Sequence, residues 1–568
     1  MTSARELADR IQQRWLEENP FAATMYGIPG YDDLVPDESE EGRQSWRAEA
    51  GRFLDEADVI ADGELTPAEA VTLDCAKEAA AAEREAIDLA GAEYTVTAMQ
   101  YSGPAAFLAV AARTVLVDSA AAEAYLSRLR RSGAWLDQVG DRLRTGARKG
   151  RLPVAPLAEQ AVTWAEGVLA NPGASPVLAP RPPQGWQATG AWEEQRRAAA
   201  EEVVHPALAR WVATVRELLP QARPAERAGL AYLPGGEEDY TRAVRIYTTL
   251  PLSAEELHQT GLDHIAALEA RAVKLGTGLG LSGLDEVFAA LRDSNGEVAP
   301  DEAIRQATAA VRRAEARAGE FFPEPLPPPC EVTPMPEVVA VSGAAPHYTP
   351  PRLDGGRPGT FWFNTRLPTA GTGWDTEVVA FHEAVPGHHL QLSRLQLLTS
   401  LPALQRQRSL AVFSEGWGLY AEQLAEETGL YADDRGLLGS VSTSLMRAAR
   451  LVVDTGIHAY GWSRERALQF MAEHVPMPRE FLADEIDRYV VMPGQALAYL
   501  TGKLEILRIR DDARKRLGPA FSLAAFHGAV LDHGSLPMPT LARSVAGWLD
   551  RTAPRASRGL VMTADDAR

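Results

Sequence analysis

The chain has 568 residues, 46% apolar and 24% charged, the profile of a soluble globular protein with more length than one small core needs. Its net charge of -20 repels nucleic acid and anionic lipid, so neither is expected as a partner. Two cysteines, Cys75 and Cys330, are too few for a disulfide framework and form no CxxC pair; buried thiols in a reducing compartment are expected.

The N-terminal stretch MTSARELADRIQQRW carries charges throughout and has no apolar core of a secretory signal. No run approaches the ~20 apolar residues of a membrane span. A cytoplasmic protein without a membrane partner is the expectation. Ser3 and Glu6 make a capping box for a first amphipathic helix. Thr66, Pro67 and Glu69 start a second, AEAVTLDCAKEAAAAEREAIDLA, in a half of the chain rich in Ala, Leu, Glu and Arg. Ser253 and Glu256 cap ELHQTGLDHIAALEARAVKLG, whose His258 and His264 read as packing or surface residues.

Proline-rich runs near residues 171–186 and 322–336 are not helix interiors. The first reads as a joint between helical layers. The second leads into the one convincing β region, EVVAVSGAAPHYTPP followed by GTFWFNT, where β-branched and aromatic residues are bounded by Gly and Pro. The last residues, ASRGLVMTADDAR, read as a loose tail.

The segment TEVVAFHEAVPGHHLQLSRLQ holds His382, Glu383, His388 and His389. In the zinc-peptidase pattern H-E-x-x-H, two His one helical turn apart face one ion, and the Glu acts as general base. Here the second His follows after six residues, which on a regular helix is the wrong face. Pro386 and Gly387 lie between, and a break there absorbs the two extra residues. His388 is the preferred ligand. His389, two turns along, is then a residue behind a ligand or against the substrate. Glu415, in AVFSEGWGLYAEQLAEETG, is the candidate third ligand, on a helix entered at Ser414. Glu422, two turns on, either holds a ligand His or is a solvated helix glutamate.

The blocks HEAVPGHHLQ, EGWGLYAE, DTGIHAYGW and RYVVMPGQALAYLTGK resemble the bacterial family called domain of unknown function 885, grouped with the Glu-ligand (gluzincin) zinc peptidases. The resemblance extends to YTPPRLDGGRPGTFWFNT and to ENPFAATMYGIPGYDDLVPDES. It implies a mainly α fold with a deep cleft and a small sheet beside the metal-motif helix. We divide it into an N-terminal helical region over 1–240 and a metal-bearing region over 241–568, together one unit. It also implies one zinc per chain, held by His382, His388 and Glu415.

With that resemblance, further residues gain roles. Asp454 and His458, four apart, form a candidate pair in which Asp orients a His that donates to an oxyanion, or a purely structural pair. Arg488, Tyr489, Gln495, Tyr499 and Lys503 form a second polar cluster. Tyr499 is the favoured oxyanion donor, and Arg or Lys clamps a substrate carboxylate. GTFWFNT reads either as an edge strand for a peptide or as an ordinary strand.

The leading expectation is a zinc-dependent hydrolase of short peptides, exopeptidase-like, with Glu383 as general base. Alternatives are metal-dependent C–N cleavage in a non-peptide metabolite and a binding protein with a relic site; manganese, cobalt or iron could replace zinc. There is no GxSxG elbow and no P-loop to indicate serine hydrolase or P-loop nucleotide chemistry.

Overall fold

Local signals place the helices where the caps predict them. Ser3 and Glu6, Thr66 and Glu69, and Ser253 and Glu256 each form reciprocal capping boxes, starting helices Ala4–Glu18, Pro67–Leu89 and Ala254–Gly278. The computed structural model describes residues 2–61, 63–101, 103–292, 298–340, 345–352, 357–366 and 373–552. The C-terminal tail reading lies outside them. The first proline-rich run forms two short 3-10 turns between helices Ala155–Ala170 and Thr189–Ala199. His258 is a packing residue: its Nδ1 lies 2.8 Å from the Thr455 hydroxyl and its ring meets Tyr460 and Trp462 edge-on.

Apolar side chains gather in three cores. The first joins helices Ala4–Glu18, Glu40–Ala61 and Pro67–Leu89 to helices Pro300–Phe321, Thr376–Glu383, Ala411–Glu427 and Ala498–Leu517. Its packing therefore runs across residue 240. The second surrounds helix Asp434–His458, whose largest neighbour is Ala254–Gly278. The third gathers around helices Ser119–Arg148 and His205–Leu218, its buried residues lying between 96 and 218, with Phe21 and Val35 from the N-terminal segment packed against it.

The sheet has three short strands: β1 (Glu331–Pro334), β2 (His347–Thr349) and β3 (Thr360–Phe363). The order is β1-β3-β2, with β1 parallel and β2 antiparallel to β3. Two sequence expectations are corrected here, and the choice left open for GTFWFNT falls to the ordinary strand. GTFWFNT supplies the central strand and not an edge, because both its neighbours pair with it. One strand lies inside the second proline-rich run, where Pro334 is tolerated because β1 is an edge and needs no donor on its outer side. Glu337–Ala340, in the stretch read as β, is a helical turn: the Ala340 N–H donates to the Pro336 carbonyl (2.9 Å) and Asn364 Nδ2 donates to the Ala340 carbonyl (3.1 Å).

Candidate metal centre

The six-residue spacing is resolved by a break between two helices. Helix Thr376–Glu383 stops at Ala384, whose ψ of -105° is not helical, and helix His388–Leu397 starts after Gly387. A side chain at Gly387 would lie 1.9 Å from the His382 carbonyl oxygen, so only glycine lets the chain fold back so closely. The Pro386 carbonyl, freed from helix bonding, accepts a hydrogen bond from Trp417 Nε1 (3.0 Å). The two imidazoles then meet edge to face, centroids 4.7 Å apart, although six residues separate them.

Helix Ala411–Glu427 supplies the third group. It begins at Ala411 and not at Ser414; the Leu410 N–H is satisfied by the Ser535 hydroxyl. Glu415 Oε2 lies 3.5 Å from His382 Nε2 and 3.7 Å from His388 Nε2, and one ligand atom from each of the three lies within 4.8 Å of the others. A tetrahedral ion with bonds of about 2.0–2.1 Å keeps its ligands roughly 3.3 Å apart. The two histidine–glutamate separations lie close to that spacing.

The carboxylates and imidazoles of the cluster also bias one another's charge. Burial works against charge on His382, but Glu415 and Glu422 outweigh it and push its imidazole up to about 10. Glu415, which burial alone would raise, is held well below the usual carboxylate range by the two histidines. Two imidazoles bracketed by carboxylates in a buried place require protons or a metal ion to balance them.

Glu422 is 2% exposed, and its carboxylate accepts from His382 Nδ1 at 2.7 Å. That bond fixes the tautomer so that Nε2 faces Glu415. Gly418 clears the space: a Cβ there would lie 2.5 Å from the His382 ring. Glu383, the next residue in the chain, turns to the sheet, where its Oε2 accepts the main-chain N–H of Tyr348 on edge strand β2 (2.8 Å). Sequence reading missed Tyr348, whose other end orders His389. Its hydroxyl lies 3.0 Å from His389 Nδ1, while His389 Nε2 meets the Pro328 carbonyl at 2.8 Å. Both ring nitrogens of His389 are committed, which corrects its reading as a substrate residue and leaves His388 as the histidine of the cluster.

His458 is likewise corrected. Leu230 N–H donates to its Nδ1 (3.2 Å), and its Nε2 meets the Tyr489 carbonyl (3.0 Å). Asp454 instead accepts from the Tyr240 hydroxyl (2.7 Å) and the Gly494 N–H. The Tyr240 ring stacks on His458, so one tyrosine stands between the two residues expected to pair. Burial holds His458 down at about 4, a neutral structural imidazole.

Arg488, Tyr489, Gln495 and Tyr499 do come together, around Glu485 and Arg450, which the sequence reading did not single out. Arg488 Nη2 and Arg450 Nη2 both donate to Glu485 Oε2, at 2.8 and 2.9 Å. Arg488 also binds Gln495, and Tyr489 donates to Glu485 (2.7 Å). Arg450 lies over the Tyr499 ring at 4.2 Å, and its Nη1 is buried without a partner. Lys503 does not join this group, although it follows Tyr499 by one turn. It faces a cavity that Glu422 also lines.

The fold and site define a mainly helical protein with a His–His–Glu constellation between three helices, its histidines buried and its glutamate half-buried. Residues 20–545 match the family described as "Bacterial protein of unknown function (DUF885)", and the chain belongs to it. A solved structure, "putative lipoprotein from Colwellia psychrerythraea", is 26% identical with a TM-score of 0.87, covering 97% of this chain and 100% of that one. Another, "a putative lipoprotein of unknown function from Shewanella oneidensis", is 17% identical with a TM-score of 0.72, covering 96% and 99%, and shares the fold. No curated protein matches the chain. Among the described residues no helix is long and apolar enough to cross a membrane.

Proposed function

We propose that this protein is a zinc-dependent hydrolase of the gluzincin type, cleaving amide bonds in short peptides, with one zinc per chain. The observation that carries this reading is the convergence of His382, His388 and Glu415 with Glu383 adjacent and Glu422 behind His382. Bound there, zinc supplies Lewis acidity toward a carbonyl and toward water. The protein's residues do the rest. His382, held by Glu422, keeps one tautomer. Glu383 takes the proton of the attacking water and passes it to the leaving amine. The Tyr348 N–H holds that carboxylate in place until substrate arrives.

Arg450 and Arg488 share the single carboxylate of Glu485, which leaves one positive charge for a substrate carboxylate. The unpartnered Arg450 Nη1 and the Tyr499 ring beneath it favour a peptide terminus over an internal bond, hence exopeptidase action. We place the protein in the cytoplasm on its two buried free thiols. Fractionation tests this, and recovery with the envelope, to which the neighbours' names point, overturns it.

The test of function is metal content with turnover on a dipeptide and tripeptide panel. Wild type should hold one zinc per chain, and His388→Ala and Glu415→Ala should lose it, while His389→Ala keeps it. Glu383→Gln should keep the metal and lose at least 10²–10⁴-fold in turnover. A wild type that binds no zinc and stays inactive after zinc addition sinks the reading.

A further inference from the structure

Four helices, Ala254–Gly278, Ala411–Glu427, Asp434–His458 and Ala498–Leu517, enclose a cavity of about 180 Å³. Glu422 lines it, whereas His382, His388, Glu415 and Glu383 do not. The cavity therefore lies behind the residue that orients His382 and apart from the three-ligand cluster.

Its charged lining does not balance. Three cations, Arg271, Arg447 and Lys503, face two carboxylates, Glu422 and Glu426. Arg271 pairs with Glu426. Glu422 gives its Oε1 to His382, and Arg447 Nη2 reaches that oxygen only at 3.8 Å. Arg447 Nη1 donates to the Thr443 carbonyl (3.2 Å) while its Nε is buried without a hydrogen-bond partner, and among the described residues the half-buried Lys503 makes no hydrogen bond or ion pair. Burial holds the Lys503 ammonium below its usual range, with Glu422 the largest opposing influence. An uncompensated cation in such a place is costly unless something pairs with it. Ser440 and Ser444, one turn apart on the Arg447 helix, add hydroxyl donors to the same wall.

We propose that this cavity binds a small inorganic anion of the size of chloride or phosphate, held by Lys503, Arg447 and the Ser440 and Ser444 hydroxyls. The anion neutralises Lys503 and Arg447, so that Glu422 acts fully as the acceptor for His382. Without it, both cations draw on the Glu422 carboxylate. On the zinc reading, which this second step rests on, anion occupancy tightens metal binding by making His382 a more basic ligand.

The site itself is tested on the full chain stripped of metal with a chelator. Sodium gluconate, too bulky for the cavity, is exchanged for chloride or for phosphate at constant ionic strength, and the melting temperature is followed. A saturable rise of a few degrees in wild type, absent in Lys503→Met and reduced in Ser444→Val, is the expected result. An equal response in Lys503→Met, or no saturable rise in wild type, overturns the proposal. Crystals grown with bromide give a check that does not depend on how the variants fold: an anomalous peak between Lys503 and Arg447 supports the site, and an empty cavity at saturating bromide overturns it. The coupling is read as zinc affinity, expected several-fold tighter in chloride than in gluconate for wild type and unchanged in Lys503→Met; equal affinities in wild type overturn the coupling. A chain that binds no zinc defeats the proposed function, while the metal-free melting arm still decides the anion site.

Discussion

Glu422 is one of many glutamates on an acidic chain, and only its surroundings distinguish it. It is almost fully buried, and among the described residues its carboxylate accepts a hydrogen bond from His382 alone. Glu422→Gln keeps an acceptor oxygen but removes the charge that makes the imidazole a stronger ligand. On the proposed reading, zinc affinity should fall by about 10–100-fold with the fold intact, measured by competition with a chromophoric chelator. Asp454 gives a prediction of opposite character. Burial raises its carboxyl, against the Tyr240 and Gly494 bonds, to about 7. Its folded-state pKa lies above its unfolded value, so the stability it contributes is present at low pH and is lost as pH rises from near 4 through 7. Asp454→Asn removes that titration while its amide oxygen still accepts from Tyr240. Urea melts should show the variant gaining on wild type between pH 5 and pH 7, by on the order of 2 kcal/mol. A difference that stays flat across that range contradicts the shifted carboxyl.

At the scale of elements, the decisive feature is the break between helices Thr376–Glu383 and His388–Leu397. A β-carbon at Gly387 would overlap the carbonyls of Phe381 and His382, so Gly387→Ala must push the second helix away from the first. The variant should lose about 1–3 kcal/mol of stability and, on the proposed reading, most of its zinc. Retention of full zinc with unchanged stability would show that the break tolerates a side chain. The same closeness recurs where Gly416 meets the backbone of Gly502, bringing helix Ala411–Glu427 onto helix Ala498–Leu517.

These elements also show what was legible in the chain. Capping boxes were readable because cap and third residue recognise each other locally. The Pro386–Gly387 pair announced a break, and His388 could be preferred from it. The sheet order was not legible: strands of three or four residues carry too little alternation to show which one is central. Asp454 and His458 sat at the right spacing, but Tyr240, more than 200 positions earlier, stands between them. No local pattern announces such a residue. Tyr348 escaped for a similar reason, because it acts on Glu383 through its backbone N–H, which every non-proline residue has.

Over the whole molecule, the candidate metal centre belongs to one core and not to the others. Phe381, Ala384, Leu390, Phe413 and Trp417, which flank the three candidate ligands, lie in the first core with residues from helices Ala4–Glu18 and Glu40–Ala61. The third core, centred on helices Ser119–Arg148 and His205–Leu218, contains none of them. An ion that binds the native state and not the unfolded chain stabilises it by about 2.7 kcal/mol at a hundred times its Kd. That stabilisation is delivered where the ligands are. Chelation should therefore lower the melting temperature and raise amide hydrogen exchange in segments 376–397 and 411–427, with a smaller rise in helix Ala4–Glu18 through the shared core. Helices Ser119–Arg148 and His205–Leu218 should exchange as before. Equal acceleration in all three cores would mean that they unfold as one cooperative unit. No change in any segment would mean that no ion had been holding the three ligands together.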